Sequence, residues 1–319
     1  MLTTRFTELI GCRIPLQQAG MGGVTTAALA AAVSDAGGLG MLGLPMVPAD
    51  MVADILDDVG RRTSKPVGVN FLVPFVDRAA VEAAAAKARL VEFFYADPDP
   101  ALVDAVHAGG ALAGWQVGSA DEARAAAEAG CDLVIAQGVE AGGHVRGTTG
   151  LLPLLDAVLD TVEVPVVAAG GIGTARAMAG ALAAGADAVR VGTRFVAAEE
   201  ADTHPDYAKA LIDAGPDDTV LTTTFSVMWP DAPHRVLRSC VDAAEAFEGD
   251  AVGEMGMGEM RMPLPPRAVP CPSRSTTGTI AAMALYAGQS VGAVTKVQPA
   301  AEIVRELAEG AERLLARND

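Results

Sequence analysis

The sequence of 319 residues lacks several features that define common classes of protein. No apolar run approaches the roughly 20 residues of a membrane-spanning helix, and Met1–Glu8 does not have the basic-then-apolar pattern of a secretory signal peptide. The four cysteines, Cys12, Cys131, Cys240 and Cys271, lie far apart and form no CxxC pair. We therefore expect a cytoplasmic protein with unpaired thiols and no membrane association.

The chain also has few positively charged residues relative to negatively charged ones. The chain has 23 Lys and Arg against 40 Asp and Glu, so its formal net charge is −17 and its isoelectric point is near 4.6. An acidic surface repels polyanions, and nucleic-acid binding is therefore not expected. No His or Cys cluster has the spacing of metal ligands, so no metal site is expected either.

What the sequence does have is a regular alternation of apolar runs with alanine-rich segments of helical pattern. Eight βα units in succession predict a TIM barrel, and runs that are apolar throughout are typical of parallel strands buried on both faces. The predicted strands are Ile14–Gly20, Leu39–Leu44, Val67–Leu72, Leu90–Ala96, Leu112–Gly118, Asp132–Gly138, Val164–Gly170 and Ala188–Phe195. The predicted helices include Thr26–Ala36, Ala79–Lys87, Ser119–Ala129 and Thr174–Ala184, with Ser119 and Thr174 as N-caps and Gly37, Gly130 and Gly185 at C-terminal ends.

The alternation stops after Phe195. Residues 199–275 are rich in Pro, Met, Asp and Glu, and we interpret them as a helical lid with long loops rather than a further sheet. A helical pattern returns in Ile280–Ala287 and in Ala300–Arg317. The predicted organisation is a barrel of residues 1–198 and 276–319 with a lid, or substrate domain, of residues 199–275.

Glycine-rich loops follow the last three predicted strands. They contain Gly142-Gly143, Gly170-Gly171 and Gly192-Thr193. Such loops let backbone N–H groups approach a phosphate, and the loops after strands seven and eight hold a phosphate in many barrels. Because the carboxyl ends of barrel strands meet at one mouth, we predict a phosphate-anchored cofactor there.

Polar side chains at the same strand ends are candidates for the chemistry. Asn70 and Gln137 are amides at the ends of apolar strands, and amides match the mixed donors and acceptors of a flavin ring. His144 lies in a glycine-rich strand-end loop, and an imidazole with a pKa near 6.5 suits a general base. The other histidines, His107, His204 and His234, are interpreted as structural.

Taken together, these motifs resemble the nitronate monooxygenase family, formerly called 2-nitropropane dioxygenases. The resemblance covers nearly the whole chain. It is carried by Pro15–Gly23, Ala36–Gly40, Gly68–Phe71, Gln137–His144, Ala168–Ile172, Val191–Phe195 and Tyr286–Ser290.

The resemblance implies an FMN-dependent TIM-barrel oxidoreductase with His144 as the catalytic base. It implies that an alkyl nitronate reduces the flavin, that O2 re-oxidises it, and that a carbonyl compound and nitrite are the products. The residues that it implies for FMN binding are Ala19, Gly20, Met21, Asn70, Gln137, Gly142, Gly143, Gly170, Gly171, Arg190, Val191, Gly192 and Thr193.

Similar sequences do not all share one activity. They include FMN-dependent enoyl-acyl-carrier-protein reductases and NAD(P)H:quinone reductases, so an NAD(P)H-dependent reductase is an alternative, and a non-catalytic flavin-binding protein is another. Arg190 stands where many family members have glutamine, and Thr222–Pro230 lacks a glycine that is usual there. Because that segment belongs to the predicted lid, which contacts the substrate, the identity of the substrate is left open. The sequence also leaves open whether NAD(P)H is used and whether the chain forms a homo-oligomer.

Overall fold

The computed structural model describes residues 2–257 and 260–316. The helices are α1 Arg5–Ile10, α2 Ala27–Ala36, α3 Ala49–Arg62, α4 Arg78–Ala85, α5 Pro100–Ala108, α6 Ala120–Glu128, α7 Leu151–Leu159, α8 Ala175–Ala183, α9 Thr193–Val196, α10 Pro205–Asp213, α11 Arg238–Ala246 and α12 Ala300–Leu315. The strands are β1 Leu16–Gln18, β2 Gly40–Gly43, β3 Val67–Leu72, β4 Leu90–Phe94, β5 Leu112–Val117, β6 Leu133–Gln137, β7 Gly143–His144, β8 Val166–Ala169, β9 Ala188–Val191, β10 Thr219–Thr222, β11 His234–Leu237, β12 Gly253–Met257, β13 Met260–Leu264 and β14 Thr277–Gly278.

Eight parallel strands form the predicted TIM barrel. Their order is β1-β9-β8-β6-β5-β4-β3-β2. The barrel closes between its first two strands, because the backbone N–H of Gln18 donates to Leu39 O at 2.9 Å and that of Leu39 donates to Leu16 O at 2.8 Å. The fold prediction is therefore confirmed.

The side chains inside the barrel change from apolar to polar along the strands. At the amino-terminal end, Leu39, Leu90 and Leu133 pack with Phe6 and Ile10 of α1, which closes that end. Alternate residues of a strand share a face, so the inward series of β6 runs Leu133, Ile135, Gln137. The same period places Asn70, Glu92, Gln116 and Arg190 inside the barrel, toward the carboxyl ends of their strands.

Local sequence signals account for the helix ends. The Oγ of Ser119 accepts from the N–H of Glu122, and the Oγ1 of Thr174 accepts from that of Ala177, both at 3.2 Å. Both residues are therefore the N-caps that were predicted. Gly37, Gly130 and Gly185 have φ values of 108°, 94° and 106°, in the left-handed region that favours glycine after a helix.

The segment after the barrel differs from the prediction. It contains helices α10 and α11, but the expectation that it has no further sheet was wrong. Strands β10 and β11 pair with β7 in one antiparallel sheet, and β12 pairs with β13 and β14 in another. Because β7 belongs to a barrel loop, the first of these sheets joins the lid to the barrel. The exact division at residues 198 and 276 stays a prediction.

Two predicted elements differ in kind over part of their length, beyond shifts of a few residues at the ends of other strands and helices. The eighth barrel strand ends at Val191, and Thr193–Val196 forms the short helix α9 instead of continuing the strand to Phe195. Only Ile280–Ala282 of the predicted helix Ile280–Ala287 is helical, as a single 3-10 turn. Helix α12 is as predicted up to Leu315, whereas Arg317 lies outside the described residues. None of the described helices combines the length and apolarity that crossing a membrane requires.

Candidate active site

A cavity of about 550 Å³ opens at the carboxyl ends of the barrel strands. Every residue predicted to bind the cofactor lines it, with one exception, and so does His144. The exception is Val191, which is fully buried; its carbonyl oxygen accepts from the N–H of Ala19 at 2.9 Å and so positions the loop that begins at Ala19. The structure thus brings together the side chains and loops that the sequence singled out.

The inner wall of the cavity contains a charged network that the sequence analysis did not include in full. Glu92 is completely buried and forms an ion pair with Arg190. Its carboxylate also accepts from Nδ2 of Asn70 and from Nε2 of Gln17, both at 2.9 Å. Arg190 in turn donates to Oε1 of Gln17 and of Gln116. A charge within the apolar run of β4 was the sequence signal for Glu92.

Three glycines provide a surface of bare backbone at the ends of β8 and β9. Gly170 and Gly171 have φ values of 104° and 68°, which favour glycine. A Cβ atom added to Gly192 would meet only Cβ of Ala19 at 3.5 Å and Sδ of Met21 at 3.8 Å. A side chain at position 192 would therefore extend into the cavity without a steric clash. The lack of a side chain at Gly192 leaves room for a ligand.

His144 is held over the cavity by two structural elements. The pairing of β7 with β11 places it opposite His234, and Nε2 of Gln137 donates to its backbone oxygen at 3.1 Å. The imidazole stacks on Trp229 with ring centroids 4.0 Å apart. Nε2 of His144 and Oε1 of Gln137 are buried without a hydrogen-bond partner in the described part of the chain, so both atoms have an unused capacity for hydrogen bonds at the cavity.

Burial makes His144 a neutral imidazole. Loss of solvation, together with the nearby His234, lowers its pKa from 6.5 to about 3. The group is therefore unprotonated over the whole physiological range. This pKa lies well below the value near 6.5 that the sequence analysis assumed.

The low pKa predicts that acid destabilises the protein through His144. The unfolded chain binds more protons than the folded chain between pH 6.5 and about 3, so this contribution is complete above pH 6.5 and is lost as the pH falls. At pH 5 the loss is about 2 kcal/mol of unfolding free energy. Urea unfolding at pH 7 and pH 5 should show a smaller decrease for His144→Phe than for the wild type. An equal decrease in both proteins would contradict the low pKa.

The remaining histidines have the structural roles that were predicted. Nε2 of His107 lies 2.9 Å from Oδ2 of Asp132 on the outside of the barrel. Nδ1 of His204 accepts from the N–H of Asp206 at the start of α10. His234 bonds through both ring nitrogens, to the oxygen of Ala232 at 2.8 Å and to the N–H of Phe225 at 3.2 Å. None of these three side chains lines the cavity.

The cavity has an apolar rim, which is formed by Met46, Phe75, Met228 and Trp229. From the sequence alone, Met228 and Trp229 are either an apolar surface for an acyl chain or quinone or part of the core of the lid, whereas Met46 and Phe75 were not singled out. Met46 and Met228 are 60% and 57% exposed. Their φ values are 58° and 81°, an uncommon conformation for residues other than glycine. Trp229 also packs edge-on against Phe75, with ring centroids 5.0 Å apart. The opening of the cavity is thus built for contact with apolar groups.

Two other features could suggest different chemistry. Gly288–Gly292 has the GxSxG spacing of a hydrolase elbow, but Ser290 lies in the 3-10 helix Gln289–Ala293 and not on a strand-to-helix turn. Within residues 2–257 and 260–316, no group of three or more His, Cys, Asp or Glu side chains is arranged to hold a metal ion. The four cysteines are free thiols, three of them buried and Cys12 half-buried.

Comparison with known proteins identifies the family. A family model described as nitronate monooxygenase matches residues 3–88 and 73–310. The chain therefore belongs to the nitronate monooxygenase family and is an oxidoreductase, as the motifs indicated. Proteins of this family are flavin-dependent in general.

Individual relatives carry different names. The chain is 41% identical over 243 residues to (3aS,4S,5R,7aS)-5-hydroxy-7a-methyl-1-oxo-octahydro-1H-indene-4-carboxyl-CoA dehydrogenase of Mycobacterium tuberculosis (strain ATCC 25618 / H37Rv). This match covers 75% of this chain and 67% of the relative. The protein of that name from Rhodococcus jostii (strain RHA1) is 36% identical, and the match covers 75% of this chain and 66% of that relative. The chain thus spans about two thirds of the length of these curated relatives.

Solved structures are similar to the chain over nearly its whole length. FabK from Thermotoga maritima superimposes with a TM-score of 0.83 at 30% identity, over 100% of this chain and 99% of that one. The nitroalkane oxidase from Streptomyces ansochromogenes gives a TM-score of 0.76 at 29% identity, over 98% of this chain and 100% of that one. Both similarities extend over the barrel and the lid.

Proposed function

We propose that the protein binds FMN in the cavity and uses it to oxidise or reduce a neutral, apolar carbon acid, with His144 as the base. The observation that carries this proposal is the pair of buried polar atoms, Nε2 of His144 and Oε1 of Gln137, that have no partner among the described residues. Such atoms are costly unless a ligand satisfies them. Both belong to residues that line the same cavity.

The cavity fits FMN at both ends. The bare backbone of Gly170, Gly171 and Gly192 would face the phosphate, next to the N-terminus of α9 at Thr193. Deeper in the barrel, Asn70, Gln137 and Arg190 would contact the flavin ring, and the loop Ala19–Met21 would pack against it. Amides and a guanidinium supply the donors and acceptors that the ring requires.

His144 would act as a proton carrier for the substrate. A bound FMN supplies an acceptor or donor of two electrons. His144 would take a proton from the carbon atom of the substrate at Nε2, the buried ring nitrogen that has no partner among the described residues. Trp229 covers one face of the imidazole and excludes water from it. The same nitrogen returns the proton when the reaction runs as a reduction.

The rim favours the acyl group of a thioester as the substrate. The apolar side chains at the opening, Met46, Phe75, Met228 and Trp229, suit an acyl chain or ring system. The relative from Mycobacterium tuberculosis, whose name describes a CoA-linked bicyclic acid, is consistent with this substrate class.

Nitronate oxidation with O2 is the second candidate. It is supported by the family match and by the similarity to the Streptomyces ansochromogenes nitroalkane oxidase. A neutral nitroalkane is also a carbon acid that needs a base, so His144 would have the same role. The cytoplasmic location remains a prediction and NAD(P)H-dependent reduction remains an alternative, whereas the oligomeric state is left open.

The test is the visible spectrum of the purified protein under anaerobic conditions. We expect a flavin band in the isolated protein and rapid bleaching when a bulky acyl-CoA substrate is added. Nitroethane and its nitronate, and NADH and NADPH, are added to separate samples. Bleaching by the nitro compounds alone would select nitronate oxidation, and bleaching by NAD(P)H followed by re-oxidation with an enoyl thioester would select the reductase. A protein without flavin, or one that no compound reduces, would overturn the proposal.

A further inference from the structure

The network around Glu92 connects five of the eight barrel strands. Glu92 lies on β4 and Arg190 on β9, and their side chains are 0% and 7% exposed. Gln17 of β1 bonds to both members of the pair, since its Nε2 donates to Glu92 at 2.9 Å and its Oε1 accepts from Nε of Arg190 at 3.0 Å. Asn70 of β3 fixes the other oxygen of Glu92, and Gln116 of β5 fixes the guanidinium. The positions of both charges are therefore rigidly set.

The two charges are not equally close to the cavity. Arg190 lines the cavity, together with Asn70 and Gln116, whereas Glu92 does not. A guanidinium has five N–H donors, and the hydrogen bonds to Gln17, Gln116 and Glu92 use three of them. Donors of Arg190 thus remain for a ligand, and its positive charge is nearer to that ligand than the negative charge of Glu92.

A fixed charge next to a redox cofactor changes the stability of its electron-rich form. The effect is large in a buried site, because two charges interact there far more strongly than in water. Burial lowers the pKa of Arg190 and the carboxylate of Glu92 raises it, so Glu92 stabilises the charged form of the guanidinium. An unpaired buried charge would be strongly destabilising. The pair therefore places a positive charge at the cavity while keeping the total charge neutral.

We propose that Glu92 and Arg190 set the electron affinity of the flavin: Arg190 stabilises negative charge on the ring, and Glu92 limits that stabilisation. The proposal rests on the proposed function, because it requires FMN in this cavity. Glu92 is a positioning residue that acts through Arg190.

The test compares Glu92→Gln, Arg190→Gln and the double variant, each loaded with FMN. Sulfite adds to an electron-poor flavin and produces an anionic ring, so its dissociation constant reports electron affinity without any substrate. Glu92→Gln should bind sulfite about tenfold more tightly, and Arg190→Gln about tenfold more weakly, the size of one modest charge interaction. The double variant should lie between the two single variants. Midpoint potentials should shift in the same order, upward for Glu92→Gln and downward for Arg190→Gln.

The opposite signs distinguish tuning by charge from a merely structural role. Weaker sulfite binding in both single variants, or no change in either while FMN stays bound, would overturn the proposal. Arg190→Lys covers the case in which Arg190→Gln does not fold, because lysine keeps the positive charge. Its dissociation constant for sulfite should stay closer to that of the wild type than the constant of Glu92→Gln does. A lysine variant that binds sulfite as weakly as a neutral site would also overturn the proposal. Wild-type protein that holds no flavin would instead count against the proposed function.

Discussion

His144→Phe is expected to retain FMN and to lose activity on a neutral carbon acid by about 10²- to 10⁴-fold, the usual contribution of a positioned general base. Phenylalanine preserves the ring that stacks on Trp229 at a centroid distance of 4.0 Å, so the surroundings of the cavity are retained. What the variant removes is Nε2, the buried atom without a partner. The loss should appear in kcat/KM and, with a substrate deuterated at the acidic carbon, as a changed isotope effect.

The control is His107→Gln, which removes a histidine paired with Asp132 on the outside of the barrel and should leave the rate unchanged. A pre-formed nitronate offers a second control, because it carries no proton for the base to remove. His144→Phe should therefore react with the nitronate far better than with the parent nitroalkane. Wild-type rates for the variant on both compounds would show that His144 is not the base.

The barrel could be predicted because its physical basis is local. Each parallel strand is buried on both faces and so consists mainly of apolar residues, and several helices are followed by a glycine with a positive φ, as at Gly37, Gly130 and Gly185. The polar residues at strand ends follow from the same alternation, as the inward series Leu133, Ile135, Gln137 illustrates. Since all eight strands end at one mouth, residues that are far apart in sequence could be placed together.

The lid could not be predicted in the same way. Strand β7 has two residues, Gly143 and His144, and it exists because it pairs with β11, about ninety positions further along the chain. Strands β12 and β13 contain Met, Gly, Glu and Arg, which have no strong preference for a strand. Pairing between distant segments, rather than local propensity, forms these sheets.

The charged network could be recognised only from the sequence and the structure together. Glu92 lies in the run Leu90-Val91-Glu92-Phe93-Phe94, where a carboxylate stands out among apolar neighbours. Arg190 was included among the predicted cofactor residues, although its partner was not. Only the register of β4 and β9 in one closed barrel shows that the two charges meet inside it. A buried charge in a predicted strand therefore indicates a partner on another strand.

Gly192→Asp should release FMN, because it places a carboxylate beside the predicted phosphate site. The backbone tolerates the change, since φ at Gly192 is −110° and an added Cβ would come no closer than 3.5 Å to another atom. Two like charges at about 4 Å repel by roughly 4 kcal/mol at an effective dielectric constant of about 20, which corresponds to about a thousandfold weaker binding. Titration of the apoprotein, followed by quenching of FMN fluorescence, measures the dissociation constant.

Gly192→Asn is the matched variant, because asparagine has nearly the same size as aspartate and no charge. It should lose some affinity through bulk, and the ratio of the two dissociation constants isolates the electrostatic part. That ratio should shrink at high salt, since screening weakens repulsion between partly exposed charges. Riboflavin, which has no phosphate, should bind the two variants equally well. Equal FMN affinities for the aspartate and asparagine variants would place the phosphate away from Gly192 and would require a different orientation of the cofactor in the cavity.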